Sequence, residues 1–108
     1  MQKVAISLGD FNGVGPEIAL KSHKKIKKWV KPLYVTNKKM LTKAANLLNI
    51  KIPADFEIVE IDGDFEIKPG VVDKEAGKFS FDMFKKAIEL AKEKKVDAIT
   101  TLPIHKEA

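Results

Sequence analysis

Apolar and polar residues follow one another along this chain in blocks whose spacing alternates between that of a strand and that of a helix. The run from Lys3 to Leu8 is nearly continuous in apolar character, as expected for a strand buried in a parallel sheet. Residues 16–28 then carry apolar side chains at helical spacing behind Pro16, a residue favoured in the first turn of a helix. The run from Pro32 to Thr36 predicts a second strand.

The middle of the chain repeats this alternation. Asn37 suits the N-cap of a helix that continues to Leu48, and Asn49 suits the left-handed residue that ends it. Apolar and acidic residues alternate from Phe56 to Ile61, which predicts a half-exposed strand near an edge of the sheet. Breakers in residues 62–70 predict a loop or hairpin.

The last predicted helix is the longest. Asp73 suits its N-cap, the helix is predicted to end near Lys95, and the apolar run from Val96 to Thr101 predicts a buried strand after it. Strands and helices that alternate in this way predict one α/β domain with three layers, α/β/α, around a largely parallel sheet.

One face of this longest helix carries small side chains, namely Ala76, Gly77, Ser80, Ala87 and Ala91. Small side chains permit a close approach, so the face suits packing on the sheet or contact with a second subunit. We expect packing on the sheet.

The most distinctive segment is GDFNGVGPE, residues 9–17, directly after the first predicted strand. Its glycines permit a sharp bend, and the following helix directs free N–H groups and the positive end of its dipole to one point. Such a helix start suits a phosphate or carboxylate group. Glu17 lies in the first turn and can satisfy the dipole itself, so a ligand-facing turn and a purely structural turn both stay open.

Within this glycine-rich turn, Asp10 is the best polar candidate for contact with a ligand. The alternative is an Asx-type turn, in which the Asp10 carboxylate holds the loop. If Gly13 or Gly15 has a positive φ, we expect its replacement by valine to cost about 1 to 3 kcal/mol. The segment lacks the Gly-Lys-Ser/Thr ending of a Walker A motif and misses the G-x-G-x-x-G order of a dinucleotide fingerprint.

A second candidate segment, from Thr100 to Pro103, leaves the end of the last predicted strand. Ligands of open parallel sheets bind beyond the carboxyl ends of the strands, so this segment and the glycine-rich turn are predicted to lie side by side. The hydroxyls of Thr100 and Thr101 suit a phosphate or a bound cofactor, or alternatively cap the next turn. Lys106 suits a phosphate, or is a solvated lysine near the end of the chain.

The charged residues bear on whether the chain recognises nucleic acids. The net charge is +5, all 20 basic residues are lysines, and residues 1–51 contain 11 lysines against two acidic residues. Arginine makes the bidentate contacts to guanine and phosphate, so its absence argues against specific nucleic-acid recognition. We interpret the lysines as solvated helix faces rather than a binding patch.

The remaining composition excludes several kinds of site. The chain has no cysteine, which excludes a disulfide framework and a thiolate zinc site. No apolar run approaches the length of a membrane span and the first residues do not resemble a signal peptide, so we expect a cytoplasmic location without membrane contact. His23 lies among lysines and is predicted to be exposed. Neither His23 nor His105 has partners at metal-ligand spacing, and no complete catalytic constellation is present.

Three segments spread over the chain resemble motifs of one enzyme family. GDFNGVGPE resembles GDPAGIGPE, with Phe11-Asn12 in place of Pro-Ala. AGKFSFDMFKKAIELA, residues 76–91, resembles AGKASFEYLEKAVELA, and VDAITTLPIHKEA, residues 96–108, resembles VDAIVTAPINKEA with His105 in place of asparagine. These motifs are those of the 4-hydroxythreonine-4-phosphate dehydrogenase family of pyridoxal phosphate biosynthesis. The isocitrate and isopropylmalate dehydrogenases open on a related but shorter GDGIGPE, so the two extra residues favour the first family.

The resemblance implies an isocitrate/isopropylmalate dehydrogenase-like fold and an NAD- or NADP-dependent oxidation of 4-phosphohydroxy-L-threonine to a 3-oxo acid that loses carbon dioxide. It also implies a homodimer, and a divalent metal (zinc, magnesium or cobalt) that acts as a Lewis acid and is held by residues after Ala108. The candidate residues of the substrate and cofactor cleft in this chain are Asp10, Asn12, Gly13, Gly15, Glu17, Thr100, Thr101 and Lys106. None of them is assigned as catalytic or as a metal ligand.

The length of the chain limits these expectations. The family's enzymes are longer, two-domain proteins, so residues 1–108 are expected to form a single N-terminal α/β segment without dehydrogenase activity of its own. The alternatives are a related decarboxylating dehydrogenase or phosphate acyltransferase of the same fold, and a small basic α/β binding module without catalysis.

Overall fold

Strands and helices alternate along residues 1–104, which are the residues described by the computed structural model. The strands are β1 (Lys3–Ser7), β2 (Lys31–Thr36), β3 (Ile58–Glu60) and β4 (Ala98–Thr101), and the helices are α1 (Gly15–Ile26), α2 (Lys38–Leu48) and α3 (Lys74–Lys92). Every predicted element is present, with ends that differ from the prediction by a few residues. The predicted α/β class is confirmed.

The four strands form one parallel sheet in the order β3-β2-β1-β4. In its register, Ala5 of β1 lies between Leu33 of β2 and Ile99 of β4. The chain steps outward from β1 to β3 and then returns past β1 to β4, so right-handed connections place α1 and α2 on one face and α3 on the other. Accordingly, α1 packs beside α2, whereas α3 contacts β1, β2 and β4. These are the three predicted layers.

The core lies on both faces of this sheet. Fully buried side chains come from β1 and the residue after it, from β2 and from all three helices, including Ala5, Leu8, Ala19, Tyr34, Val35, Met40, Leu41, Met83 and Ala87. Each large apolar side chain that is removed from water in this way contributes about 1.5 to 3 kcal/mol. Two helices pack on one face and one on the other, so both faces of the central strands β1 and β2 are covered.

Both predicted side-chain caps are confirmed. The Asn37 side chain accepts a hydrogen bond from the Met40 N–H at 2.7 Å, and the Asp73 carboxylate accepts one from the Ala76 N–H at 2.8 Å. The backbone bond from Ala76 holds the pKa of Asp73 below its usual value. Asn49 ends α2 with the predicted left-handed geometry, φ 54°.

The prediction for the last strand was wrong in one respect. The run from Val96 to Thr101 was expected to form a buried strand, but β4 begins at Ala98 and lies at an edge of the sheet formed by residues 1–104. Thr100 and Thr101 are exposed because, within the described residues, β4 pairs with β1 on one side only. The expected edge position of β3 is confirmed.

The small-sided face of α3 packs on the sheet, as expected. Ala76, Ser80 and Ala87 are buried there, and Gly77 and Ala91 are half-buried. The alternative use of this face, contact with a second subunit, stays a prediction. Over residues 1–104, no helix combines the length and the apolar content that crossing a membrane requires.

Candidate functional site

The glycine-rich turn and the segment after β4 lie side by side at the carboxyl edge of the sheet, as predicted. The Asp10 N–H donates a hydrogen bond to the Pro103 carbonyl at 2.9 Å, and the Leu102 N–H donates to the Ser7 carbonyl at 2.9 Å. The hydroxyls of Ser7 and Thr101 are 2.7 Å apart, and Ser7 donates. The end of β1 and the end of β4 are therefore joined by backbone and side-chain bonds.

At two positions of this turn, another part of the backbone comes too close for any side chain. One is Gly15, which was predicted to require glycine, and the other is Gly9, which was not. Gly9 has a φ of 71°, and a Cβ there would lie 2.2 Å from the Pro103 carbonyl oxygen. At Gly15 a Cβ would lie 1.9 Å from the Leu8 carbonyl oxygen, although its φ is not positive. At Gly13 the nearest atom would be 3.5 Å away, an ordinary contact. The condition that Gly13 or Gly15 has a positive φ is not met; steric contact, rather than φ, requires glycine at position 15.

The hydrogen bonds inside the turn favour a structural role for Asp10. Its carboxylate accepts the Asn12 N–H at 2.9 Å, which is an Asx-type turn, and its carbonyl accepts the Gly13 N–H at 3.0 Å. Pro16 has no N–H to offer. Several donors that a phosphate would need are thus already occupied or missing, and contact between this turn and a ligand stays a prediction.

The other candidate side chains differ in their exposure and in the hydrogen bonds that they already make. Asn12 is buried and bonds with its amide to the chain before α3. Glu17 accepts a hydrogen bond from Lys21, one helical turn away, at 2.6 Å. Thr100 is exposed, and the Thr101 hydroxyl donates to the Leu102 carbonyl at 3.0 Å. Lys106 and His105 lie outside the described residues.

A small apolar cavity lies beside the turn. Its volume is about 70 Å³, and it is lined by Phe11, Asn12, Gly13 and Pro16 of the turn region together with Ala44, Leu47, Leu48, Ile67 and Pro69. Ligand pockets in proteins are about 300 to 1,000 Å³, so this space is far too small for a dinucleotide. Among residues 1–104, no group of three or more His, Asp or Glu side chains is placed to hold a metal ion. The described donor set therefore does not fit the metal that the resemblance implies.

His23 was predicted to be exposed, and this was wrong. The residue is 2% exposed and faces the sheet from α1, where its Nδ1 lies 2.7 Å from the Tyr34 hydroxyl and its Nε2 lies 2.9 Å from an Asp55 carboxylate oxygen. A carboxylate only accepts, so in the neutral ring Nε2 donates to Asp55 and Nδ1 accepts from Tyr34. The helical spacing of His23 from Ala19 and Leu20 places it on the buried face, and this signal was available in the sequence.

This His23 cluster also shifts two pKa values. A hydrogen bond from Lys27, followed by the one from His23, lowers the pKa of Asp55 from 3.8 to about 2. Burial, with a smaller contribution from the Asp55 charge, raises the pKa of the Tyr34 hydroxyl. The Tyr34 ring stacks on Phe56 with 3.7 Å between ring centroids. Both ring nitrogens of His23 are hydrogen-bonded. The cluster connects α1 to β2 and to the residues before β3.

Comparison with known proteins identifies relatives of this chain. The family model described as pyridoxal phosphate biosynthetic protein PdxA matches residues 28–108. The 4-hydroxythreonine-4-phosphate dehydrogenase of Sulfurimonas denitrificans is 54% identical over 98% of this chain and 34% of its own length. The protein of the same name from Campylobacter fetus is 51% identical over 100% of this chain and 35% of its own length.

A solved structure agrees with these matches. The crystal structure of the 4-hydroxythreonine-4-phosphate dehydrogenase of Klebsiella pneumoniae superposes with a TM-score of 0.85 and 26% identity, over 98% of this chain and 38% of that chain. The chain thus spans about a third of the length of the curated relatives that it matches.

Proposed function

Since the chain belongs to the family of the pyridoxal phosphate biosynthetic protein PdxA, we propose that it forms part of a dehydrogenase that oxidises 4-phosphohydroxy-L-threonine. The secondary alcohol of this substrate becomes a ketone, and the resulting 3-oxo acid loses carbon dioxide on the route to pyridoxal 5'-phosphate. A bound nicotinamide, from NAD or NADP, supplies the hydride acceptor. The relatives carry the name of this enzyme, and the chain covers about a third of them.

The observation that carries the proposal is the meeting of two family-like motifs at one edge. The turn of residues 9–15 and the segment from Thr100 to Pro103 are joined by the hydrogen bond from the Asp10 N–H to the Pro103 carbonyl, at the carboxyl ends of β1 and β4. In open parallel sheets this is where ligands bind. We therefore propose that residues 1–108 supply one wall of the active-site cleft and part of its supporting sheet.

The role proposed for each candidate residue depends on whether its side chain is exposed and whether it is already hydrogen-bonded. Thr100 is exposed at this edge, and its hydroxyl is the proposed donor to a phosphate group. The Thr101 hydroxyl accepts from Ser7 and donates to the Leu102 carbonyl, so its contact with a phosphate requires exchange of the bond to Leu102. Glu17 lies at the start of α1, and its carboxylate is shared with Lys21. Asp10 shapes the turn through its bonds to Asn12 and Gly13, so its effect on a ligand acts through loop geometry. Lys106, outside the described residues, is retained as a candidate partner for phosphate.

The metal, the dimer and the location belong to the same proposal. On the strength of the family resemblance, we propose that zinc, magnesium or cobalt is held by residues outside this chain. We likewise propose a homodimer in the cytoplasm. The protein of 108 residues is then expected to show no reduction of NAD or NADP with this substrate and added metal.

A chimera tests the proposal directly. Residues 1–108 replace the matching part of the Sulfurimonas denitrificans dehydrogenase, which is 54% identical. We expect substrate-dependent reduction of NAD or NADP, within about tenfold of the parent enzyme. Asp10→Ala in the chimera should lower turnover more than stability if the turn faces the cleft, whereas Glu57→Gln, exposed near the other end of the sheet, is the matched control.

Two results would count against the proposal. A folded chimera that fails to oxidise the substrate would show that this segment does not build the family's cleft. Reduction of NAD or NADP by the chain of 108 residues alone would show that the catalytic groups have been assigned to the wrong part of the family's length.

A further inference from the structure

Residues 68–73, between β3 and α3, form a segment without regular secondary structure that lies against the glycine-rich turn. A single residue of the turn, Asn12, makes four hydrogen bonds to it. The Lys68 N–H donates to Asn12 Oδ1 at 2.8 Å and the Gly70 N–H to the Asn12 carbonyl at 2.7 Å, while Asn12 Nδ2 donates to the Val71 carbonyl at 3.0 Å and to Asp73 Oδ2 at 3.2 Å. Both amide N–H groups of the side chain are therefore used.

The segment has little else to hold it. Residues 68–72 are exposed, and Val71 and Val72 retain 46% and 44% of their accessible surface. By contrast, Asn12 is only 3% exposed, and its side-chain bonds to the segment are partly buried. Its partner Asp73 also caps α3 by accepting the Ala76 N–H, which links the segment to the start of that helix.

We propose that residues 68–73 are a strap, and that Asn12 fastens this strap to the glycine-rich turn. One residue of the strap, Pro69, lines the cavity of about 70 Å³ together with Asn12. Asn12 is thus a positioning residue for the carboxyl edge of the sheet. The hydrogen bonds between Asn12 and the strap lie within this chain. Any effect of the strap on a substrate rests on the function proposed above.

Amide hydrogen exchange measured by NMR on the protein of 108 residues tests the strap. Asn12→Ala removes the three side-chain bonds and keeps the bond from the Gly70 N–H to the backbone carbonyl of residue 12. At pH 7 the Lys68 amide, which loses its acceptor, should lose protection by about tenfold or more, and the Gly70 amide should also lose protection because the segment around it is released. Amides in the core of α3, such as that of Met83, report whether the domain stays folded. Asn46→Ala, at an exposed position on α2, is the matched control and should leave the strap protected.

A second variant separates fastening from simple loss of volume. Asn12→Asp keeps the acceptor for Lys68 but removes the donor and sets a carboxylate against Asp73, with Asp10 and the Lys68 ammonium also nearby. Two adjacent carboxylates raise the pKa of one of them, and its proton restores a donor. In Asn12→Asp the protection of Lys68 and Gly70, corrected for intrinsic exchange rates, should be low at pH 7 and rise several-fold near pH 5. In Asn12→Ala it should not rise.

The outcomes are decisive in each case. A folded Asn12→Ala protein with unchanged protection at Lys68 and Gly70 would overturn the strap. If Asn12→Ala does not fold, the absence of a pH-dependent recovery in Asn12→Asp overturns it, and its presence supports it. No substrate enters these measurements, so an inactive chimera would refute the proposed function and leave the strap standing.

Discussion

Replacement of Gly15 by alanine tests whether the start of α1 is fixed by direct contact with the end of β1. A Cβ at this position would lie 1.9 Å from the Leu8 carbonyl oxygen, where real contacts do not fall below 3.0 Å. The obstacle is backbone of a fully buried residue, so it cannot rotate away. Either β1 or α1 has to move by about 1 Å, against a core packed at crystal-like density.

The magnitude follows from the cost of overpacking. Forcing one extra carbon into a packed site costs about 1 to 3 kcal/mol, and more when backbone must shift, so we expect Gly15→Ala to lower the free energy of unfolding by about 3 kcal/mol. Domains of this size unfold with about 5 to 15 kcal/mol in total. The matched control is Gly13→Ala, whose Cβ would meet its nearest atom at 3.5 Å. It should change stability by less than about 1 kcal/mol, with any gain arising from the less flexible unfolded chain.

Urea unfolding followed by far-UV circular dichroism measures both variants. The fluorescence of the single tryptophan, Trp29, is a poor reporter because that side chain is 80% exposed in the folded protein. Equal unfolding midpoints for Gly15→Ala and Gly13→Ala, with equal slopes, would refute the argument that contact with Leu8 requires glycine at position 15.

Three further predictions follow from single features of the chain. Among residues 1–104, the buried hydroxyl of Thr36 has no hydrogen-bond partner, so Thr36→Val should leave thermal stability unchanged or raise it by about 1 kcal/mol, and a clear loss would reveal a missing partner. The folded-state pKa of Asp55 is about 2 and its ordinary value is 3.8, so its contribution to stability is present above about pH 4 and is lost as the pH falls towards 2. The stability difference between the wild type and Asp55→Asn should shrink over that range, and a constant difference would contradict the hydrogen bonds that Asp55 accepts from Lys27 and His23. The lysine-rich surface should bind DNA or RNA weakly, without sequence preference and less at higher salt; sub-micromolar affinity for one sequence at physiological salt would overturn this.

Features that depend on neighbouring residues in the sequence were predictable. Asn37 and Asp73 cap their helices through side-chain bonds to N–H groups three residues onward, so the sequence alone places them. The alternating apolar and acidic pattern around β3 reports its edge position in the same local way. The meeting of the two segments at the carboxyl edge was predictable for a different reason, because parallel strands with right-handed connections leave their carboxyl ends on one edge.

Features that depend on distant partners were missed or left open. The exposure of β4 depends on whether a strand pairs with its outer side, and the apolar run from Val96 to Thr101 carries no information about that. The partners of Asn12 lie more than fifty residues further along the chain, so no local pattern assigns its amide. His23 is an exception because its burial was predictable from local sequence. Its helical spacing predicts burial, but the surrounding lysines led to the wrong prediction of an exposed residue.

The two ends of α1 are held by different chemistry, and this difference bears on the ligand contacts proposed for the carboxyl edge. At its start, the contact between Gly15 and Leu8 joins α1 to β1; eight residues later, about 12 Å along the axis, His23 bonds to Tyr34 of β2. With both ends fixed to the sheet, the turn before α1 has its geometry without a ligand, and the Asn12 and Gly13 N–H groups are already bonded to Asp10. A preformed turn of this kind adds little new hydrogen bonding when a phosphate arrives. We therefore expect any phosphate contact at this edge to depend chiefly on the exposed hydroxyl of Thr100, because the Thr101 hydroxyl is already bonded to Ser7 and to the Leu102 carbonyl.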